Sequence, residues 1–178
     1  NGRLLIPTNE IAWQKLMLYP RCVNTEIGGL CKLRETRNGG FRLEETVLLK
    51  QRATGASVHL DMAALSEFVG KLDDPSQWRC WWHSHADMPT FFSGTDEATI
   101  ERLGTMMPYL LSICVNRARS IRVRFDVFSP FRMTIGATLK PEPHDYGWLK
   151  AELMAEVEKL VTDDRGVLSK DWWDKHES

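Results

Sequence analysis

The sequence predicts one domain of mixed α/β class. Three observations carry that reading. Residues 120–128 alternate without a break, Ile121, Val123, Phe125 and Val127 against Arg122, Arg124 and Asp126, which is the period of a half-buried strand. Residues 62–72 instead set Met62, Leu65, Phe68, Val69 and Leu72 at helical spacing. Arg37-Asn38-Gly39-Gly40 sits between two strand-like runs, a strong hairpin signal. A chain of 178 residues is long enough to bury a sizeable core.

The elements follow in order. Residues 3–6 read as a short strand. Thr8 is placed to cap a helix over about 9–19, with Ala12, Trp13, Leu16 and Met17 as its apolar stripe and Pro20 as its stop. The strand-like runs 26–36 and 41–51 form the hairpin, and 56–60 is a further short extended segment. Asp61 caps the helix of Met62 and Leu65, and Asp73-Asp74-Pro75-Ser76 breaks it. The aromatic run ending at Cys80-Trp81-Trp82 is strand-like and leads into His83. A second amphipathic helix opens at Asp96, with Ile100, Leu103 and Met107 on one stripe. Residues 108–115 have the length and character of a buried strand. Ser129-Pro130 turns the half-buried strand into another over 131–139. Residues 140–145 are the only linker-like stretch, and a long helix over about 146–162 carries Leu149, Leu153, Val157, Leu160 and Val161. Trp172 and Trp173, near the end, are expected to dock on the domain.

Bulk composition narrows the function classes. Apolar residues make up 43% and charged residues 26%, which argues against a disordered or fibrous chain. A net charge of -1 implies no nucleic-acid partner. Cys22, Cys31, Cys80 and Cys114 show no paired spacing and are expected to be buried free thiols, as in a reducing compartment. No run of about 18 apolar residues occurs, so no membrane span is predicted. With no signal-peptide pattern at the start, a cytoplasmic location is expected.

Chemistry concentrates between His83 and Asp96, in HSHADMPTFFSGTD. In a strand, His83 and His85 share a face and Ser84 takes the other. Two imidazoles from one rigid element fix two metal positions. Asp96, in the first turn of its helix, supplies a carboxylate, and the intervening loop can fold back to bring it to the histidines. Catalytic zinc takes three protein ligands and leaves the fourth position to water. Ser93 would lie close enough to donate to a developing oxyanion, and Glu26 is the candidate to take the water's proton. Singly, each residue has an ordinary explanation: a coincidental pair of histidines, a helix cap, a surface carboxylate. Jointly, H-[ST]-H-x7-S-x2-D arises by chance in such a chain on the order of once in 10⁴ to 10⁵.

These residues resemble the motif of the JAMM metalloprotease family, also called MPN-plus or JAB, in which a glutamate precedes H-[ST]-H-x7-S-x2-D. Glu26, His83, Ser84, His85, Ser93 and Asp96 match it position by position. Glu26-Ile27-Gly28-Gly29-Leu30 looks like the family's strand opening, and CWWHSH is similar to a GWYHSH in one member. Residues 54–61, TGASVHLD, look like the segment with which a deubiquitinase of the family contacts its substrate's tail. The likeness covers roughly residues 3–128. Where many members have Pro-Gly after the second histidine, this chain has Ala86-Asp87, and the loop from Met88 to Phe92 is its own. The compact frame looks closest to prokaryotic stand-alone members.

The resemblance implies a curved mixed β-sheet flanked by helices, an architecture related to the cytidine deaminases. The catalytic domain is expected at residues 1–139, and the linker-like stretch and long helix after it, which match nothing in the family, make 140–178 a C-terminal helical extension packed on the same domain. The resemblance makes His83, His85 and Asp96 the ligands of one Zn2+ per chain, Glu26 the general acid/base and Ser93 the stabiliser of the tetrahedral intermediate. It also implies an isopeptidase or peptidase that cuts after the C-terminal tail of a ubiquitin-like protein. That tail would lie as an added strand on Thr54, Gly55, Ala56, Ser57 and Val58, with Phe91 and Phe92 close by. A zinc peptidase or amide hydrolase acting on a small substrate is the alternative, and a non-catalytic MPN scaffold a further one. A nucleoside deaminase would need H-x-E with P-C-x-x-C, and an HExxH protease its own motif; the sequence has neither. A protein partner or self-association stays open at this level.

Overall fold

The computed structural model of the chain describes residues 2–53, 58–141 and 148–163. In chain order its elements are β1 (Leu4–Thr8), α1 (Glu10–Leu18), β2 (Gly28–Glu35), β3 (Phe41–Leu48), β4 (Gln51–Ala53), β5 (Val58–Leu60), α2 (Met62–Gly70), β6 (Cys80–Ser84), α3 (Gly94–Gly104), β7 (Tyr109–Val115), β8 (Ile121–Val127), β9 (Met133–Pro141), α4 (Leu149–Leu160) and β10 (Val161–Asp163). Residues 54–57 and 142–147, and the tail with Trp172 and Trp173, lie outside the described residues.

Local chemistry accounts for most of the boundaries. Asp61 caps α2 through the Ala63 and Ala64 N–H groups. The cap of α1 is Asn9, not Thr8: the Asn9 carboxamide accepts from Ile11 and Ala12. Thr8 is still in β1, paired with Leu43 and Pro141, and its hydroxyl donates to Ile6. The expected strand over 41–51 divides. β3 ends at Leu48, and β4 starts a second, three-stranded sheet in the order β10-β4-β5. The last helix stops at Leu160 because Val161 turns extended to pair with Gln51 of β4.

The main sheet runs β1-β3-β2-β6-β7-β8-β9 and closes into a barrel, where the family resemblance implied a curved mixed sheet flanked by helices. β1 makes the closure. It lies parallel to β9 along its length and meets β3 at Thr8, beside the Asn9 N–H bond to the Leu43 carbonyl (2.8 Å). The sheet is mixed: β1/β9, β1/β3 and β6/β7 are parallel and the other pairs antiparallel.

The strand period sorts the core into two clusters. Cys80 and Trp82 of β6 join Leu111, Ile113 and Val115 of β7, Leu16 of α1 and Leu149, Leu153 and Val157 of α4. Trp81 and Leu110 point the other way, against Ile100 of α3. Trp82 is fully buried. It stacks on Tyr19 (5.4 Å between centroids, 12° between planes), and its indole N–H donates to the Val47 carbonyl at 2.9 Å. Each such side chain contributes on the order of 1.5–3 kcal/mol by burial. The Tyr19 hydroxyl donates to Glu156 (2.7 Å), tying α4 to the same core. On the α3 side, Arg124 of β8 bridges Glu97 and the buried Asp126.

The parallel strands β6 and β7 are joined through α3, so both end at one rim of the sheet. Ligands in α/β folds bind beyond the carboxyl ends of such strands, and here that rim carries His83 and His85. The four cysteines are free and buried. No helix among the described residues is long and apolar enough to cross a membrane.

Candidate metal centre

β6 is buried along its whole length. Its register places His83 opposite Gly28 of β2 on one side and Cys114 of β7 on the other. The two glycines make this approach possible. A Cβ on Gly28 would fall 2.6 Å from the Trp82 carbonyl oxygen, and one on Gly29 would fall 2.0 Å from that of Val47. Just before them, Ile27 is bonded to Ser84 twice. Its carbonyl accepts the Ser84 N–H (2.7 Å) and its N–H donates to the Ser84 hydroxyl (3.3 Å). Gln51 accepts from the Gly28 N–H and donates to the Gly28 carbonyl, both at 2.8 Å. Glu26 is therefore presented by a fixed backbone at the rim that bears the histidines.

His85 is held by its backbone N–H on Val115 (2.9 Å) and by its Nδ1 on the Pro89 carbonyl (3.0 Å). A carbonyl only accepts, so Nδ1 carries the proton and Nε2 presents a lone pair. That Nε2 lies 3.2 Å from Nε2 of His83 and 3.3 Å from Oδ2 of Asp96, while His83 Nε2 is 3.2 Å from Asp96 Oδ1. Asp96 is fixed in turn by Ser93, the N-cap of α3. The Ser93 N–H (2.7 Å) and hydroxyl (2.8 Å) both donate to Oδ2, and the Asp96 N–H donates back to the hydroxyl (3.2 Å). The structure thus brings His83, His85, Ser93 and Asp96 into one cluster.

The electrostatics match a cation site. Burial, outweighing the pull of Asp96, lowers the His83 pKa and keeps that imidazole neutral. Burial acts to raise the Asp96 carboxyl, but the His83 ring and both Ser93 donors hold it well below the usual carboxylate range. A lone pair of His85 facing a carboxylate oxygen leaves acceptors converging, which a positive ion resolves. The two ring nitrogens lie 3.2 Å apart, and the carboxylate reaches them with different oxygens, Oδ1 to His83 and Oδ2 to His85. A tetrahedral ion with bonds of about 2.0–2.1 Å needs donor separations of about 3.3–3.4 Å, which the two imidazole nitrogens meet, with one oxygen of Asp96 close to each. Glu26 is buried beside it. Its pKa is raised, first by burial and further by the Asp96 charge, with His85 acting oppositely.

The rim holds one feature that the sequence did not reveal. The Cys114 sulfur lies with a ring nitrogen of His83 and of His85 in a buried group whose donor atoms are all within 4.8 Å, a group able to hold a metal ion. Burial pushes its thiol up to about 12, against the Phe91 backbone N–H that bonds to the sulfur. Only strand register could have found Cys114, because it is thirty-one positions from His83 in the chain and directly beside it in the sheet. The imidazoles are walled by aromatic rings. Trp81 stacks on His83 (4.4 Å, 12°), Phe92 lies 6.1 Å from it, and Phe91 meets His85 edge-on (4.8 Å, 79°). Phe91 is half exposed. Of the substrate residues expected from the sequence, Thr54, Gly55, Ala56 and Ser57 lie outside the described residues, and Val58 opens β5, opposite Ala53 of β4. Comparison with protein-family models and with curated proteins finds no match to this chain.

Proposed function

We propose that the protein is a zinc-dependent isopeptidase or peptidase of the JAMM type, cutting after the C-terminal tail of a ubiquitin-like protein. The observation that carries this reading is the convergence of His83, His85 and the Asp96 carboxylate, with a buried carboxylic acid, Glu26, on the same rim. Zinc, when bound, acidifies a water and polarises the scissile carbonyl. His83, His85 and Asp96 would hold it.

The remaining chemistry belongs to the chain. Glu26 takes a proton from the attacking water and returns it to the leaving amine. Its raised pKa suits both halves of that transfer. Ser93 first keeps Asp96 in place and, with its hydroxyl turned from Oδ2, donates to the oxyanion. Phe91 and Phe92 shield the reaction from bulk water on the loop side.

β4 is the central strand of its small sheet and β5 lies at the edge, so an extended tail has a strand to pair with beside the segment 54–57. The fold supports the family reading as far as its mixed sheet, its Gly28-Gly29 close approach and its βαβ placement of the histidines. The test is a panel of substrates with the zinc-loaded protein: a ubiquitin-like protein fused to a peptide, the same protein on a lysine, and short peptide amides. Cleavage after the ubiquitin-like tail is expected. Turnover of the short amides alone would overturn the substrate, and no turnover with zinc bound would overturn the chemistry.

A further inference from the structure

We infer that the rim is a metal site with two modes, and that Cys114 converts it from open to closed when a thiophilic cation binds. The inference builds on the proposed zinc site and adds a ligand to it. Cys114 pairs in register with His83, its sulfur belongs to the buried group formed with both histidines, and it is fully buried. Nδ1 of His83 is buried and has no hydrogen-bond partner among the described residues, so no partner on that side locks the ring in place. Two ligand sets therefore share the His83–His85 edge. The open one is completed by the Asp96 carboxylate, and the closed one adds the Cys114 thiol to it.

Ion softness selects between them. Imidazole suits zinc, and a thiolate binds zinc too but favours softer cations over it. The two imidazole nitrogens are 3.2 Å apart with an Asp96 oxygen within 3.3 Å of each, so zinc can be held there without Cys114. A larger soft ion such as Cd2+ lies further from each donor and needs less closure toward the sulfur. Binding there forms one metal–sulfur bond and releases the thiol proton to solvent. With His83, His85, Asp96 and Cys114 all engaged, four protein ligands leave no open position, which is the arrangement of a structural rather than a catalytic site. Soft cations are then inhibitors that the site itself selects.

The experiment titrates Cd2+ and, separately, Zn2+ into metal-free protein, following the ultraviolet thiolate-to-cadmium charge-transfer band and the bound metal. Wild type should develop the band as one Cd2+ binds. Cys114→Ser should lose the band and most of its preference for Cd2+ over Zn2+, while still binding one Zn2+. His85→Ala should lose both ions. The 113Cd resonance of the wild-type complex, deshielded by sulfur, gives the same answer without any variant. One Cd2+ bound with no band and no sulfur shift would overturn the role of Cys114 and leave the zinc reading standing. A band that persists in Cys114→Ser would assign the thiolate elsewhere and overturn it too. Failure to bind either ion would overturn both readings.

Discussion

Replacing Ser93 by alanine removes one hydroxyl that does two separable things. As N-cap of α3 the hydroxyl accepts the Asp96 N–H, and as a donor it holds Asp96 Oδ2 at 2.8 Å. Losing a serine cap costs about 1 kcal/mol, which in a domain of this size lowers the melting temperature by roughly 2–4 °C. Losing a hydrogen bond to a metal-binding carboxylate typically costs about 10–100-fold in metal affinity. The Ser93 backbone N–H, at 2.7 Å from the same oxygen, survives the change, so the lower end, about tenfold, is expected. Thermal melting of the metal-free protein reads the loss of the hydroxyl's bonds to the helix start, and competition with a chelator reads the metal. Ser93→Thr keeps the hydroxyl and should restore both. If Ser93→Ala melts lower as expected but binds zinc as tightly as wild type, Asp96 is not a ligand positioned by Ser93.

Glu26→Gln should keep the zinc and the fold and lose about 10²–10⁴ in turnover, measured on whichever substrate of the panel is cut; activity within a few-fold of wild type would assign the proton transfer to another group. Asp126 is fully buried and accepts from Arg124, Arg132 and Thr134 at 2.7–3.2 Å. Burial alone would raise its carboxyl, but those donors hold its pKa below the ordinary value. Its contribution is therefore present above the unfolded pKa of about 3.9 and is lost as the pH falls through and below it. Arg124 and Arg132 keep Glu97 and Glu101 as partners, so Asp126→Asn should cost about 1–3 kcal/mol at pH 7 and flatten that acid loss, both read from urea midpoints at pH 7 and pH 3. Gly29→Ala should destabilise by at least about 1–3 kcal/mol, because its Cβ has nowhere to go between Val47 and Trp82. Gly70→Ala, facing open space, is the control, and equal urea midpoints for the two would refute the packing argument.

What could be read in the sequence was what is local. The His83–Asp96 segment carries its own geometry, because strand period and helix start place its donors. The Asp61 cap and the hairpin at Asn38-Gly39 are likewise complete within a few residues. The reading failed where a partner far along the chain decides. Thr8 looked like a cap until Leu43 and Pro141 claimed it for β1, leaving Asn9 to start the helix. Val161 had helical spacing, yet Gln51 drew it into a strand. Barrel closure rests on the β1–β9 pairing, which neither strand announces. Cys114 joins the two histidines only through its register with His83, and Gly28-Gly29 matched a motif without showing the 2.0 Å approach that demands it.

In the proposed centre His83, His85 and Asp96 hold one zinc while Glu26 holds none. Elemental analysis of protein purified without chelator tests it most directly, with each residue replaced in turn. Wild type and Glu26→Gln should both carry close to one zinc per chain, and His85→Ala and Asp96→Ala should carry little. Full zinc in either of the last two variants, or an equal loss from Glu26→Gln, would contradict the account.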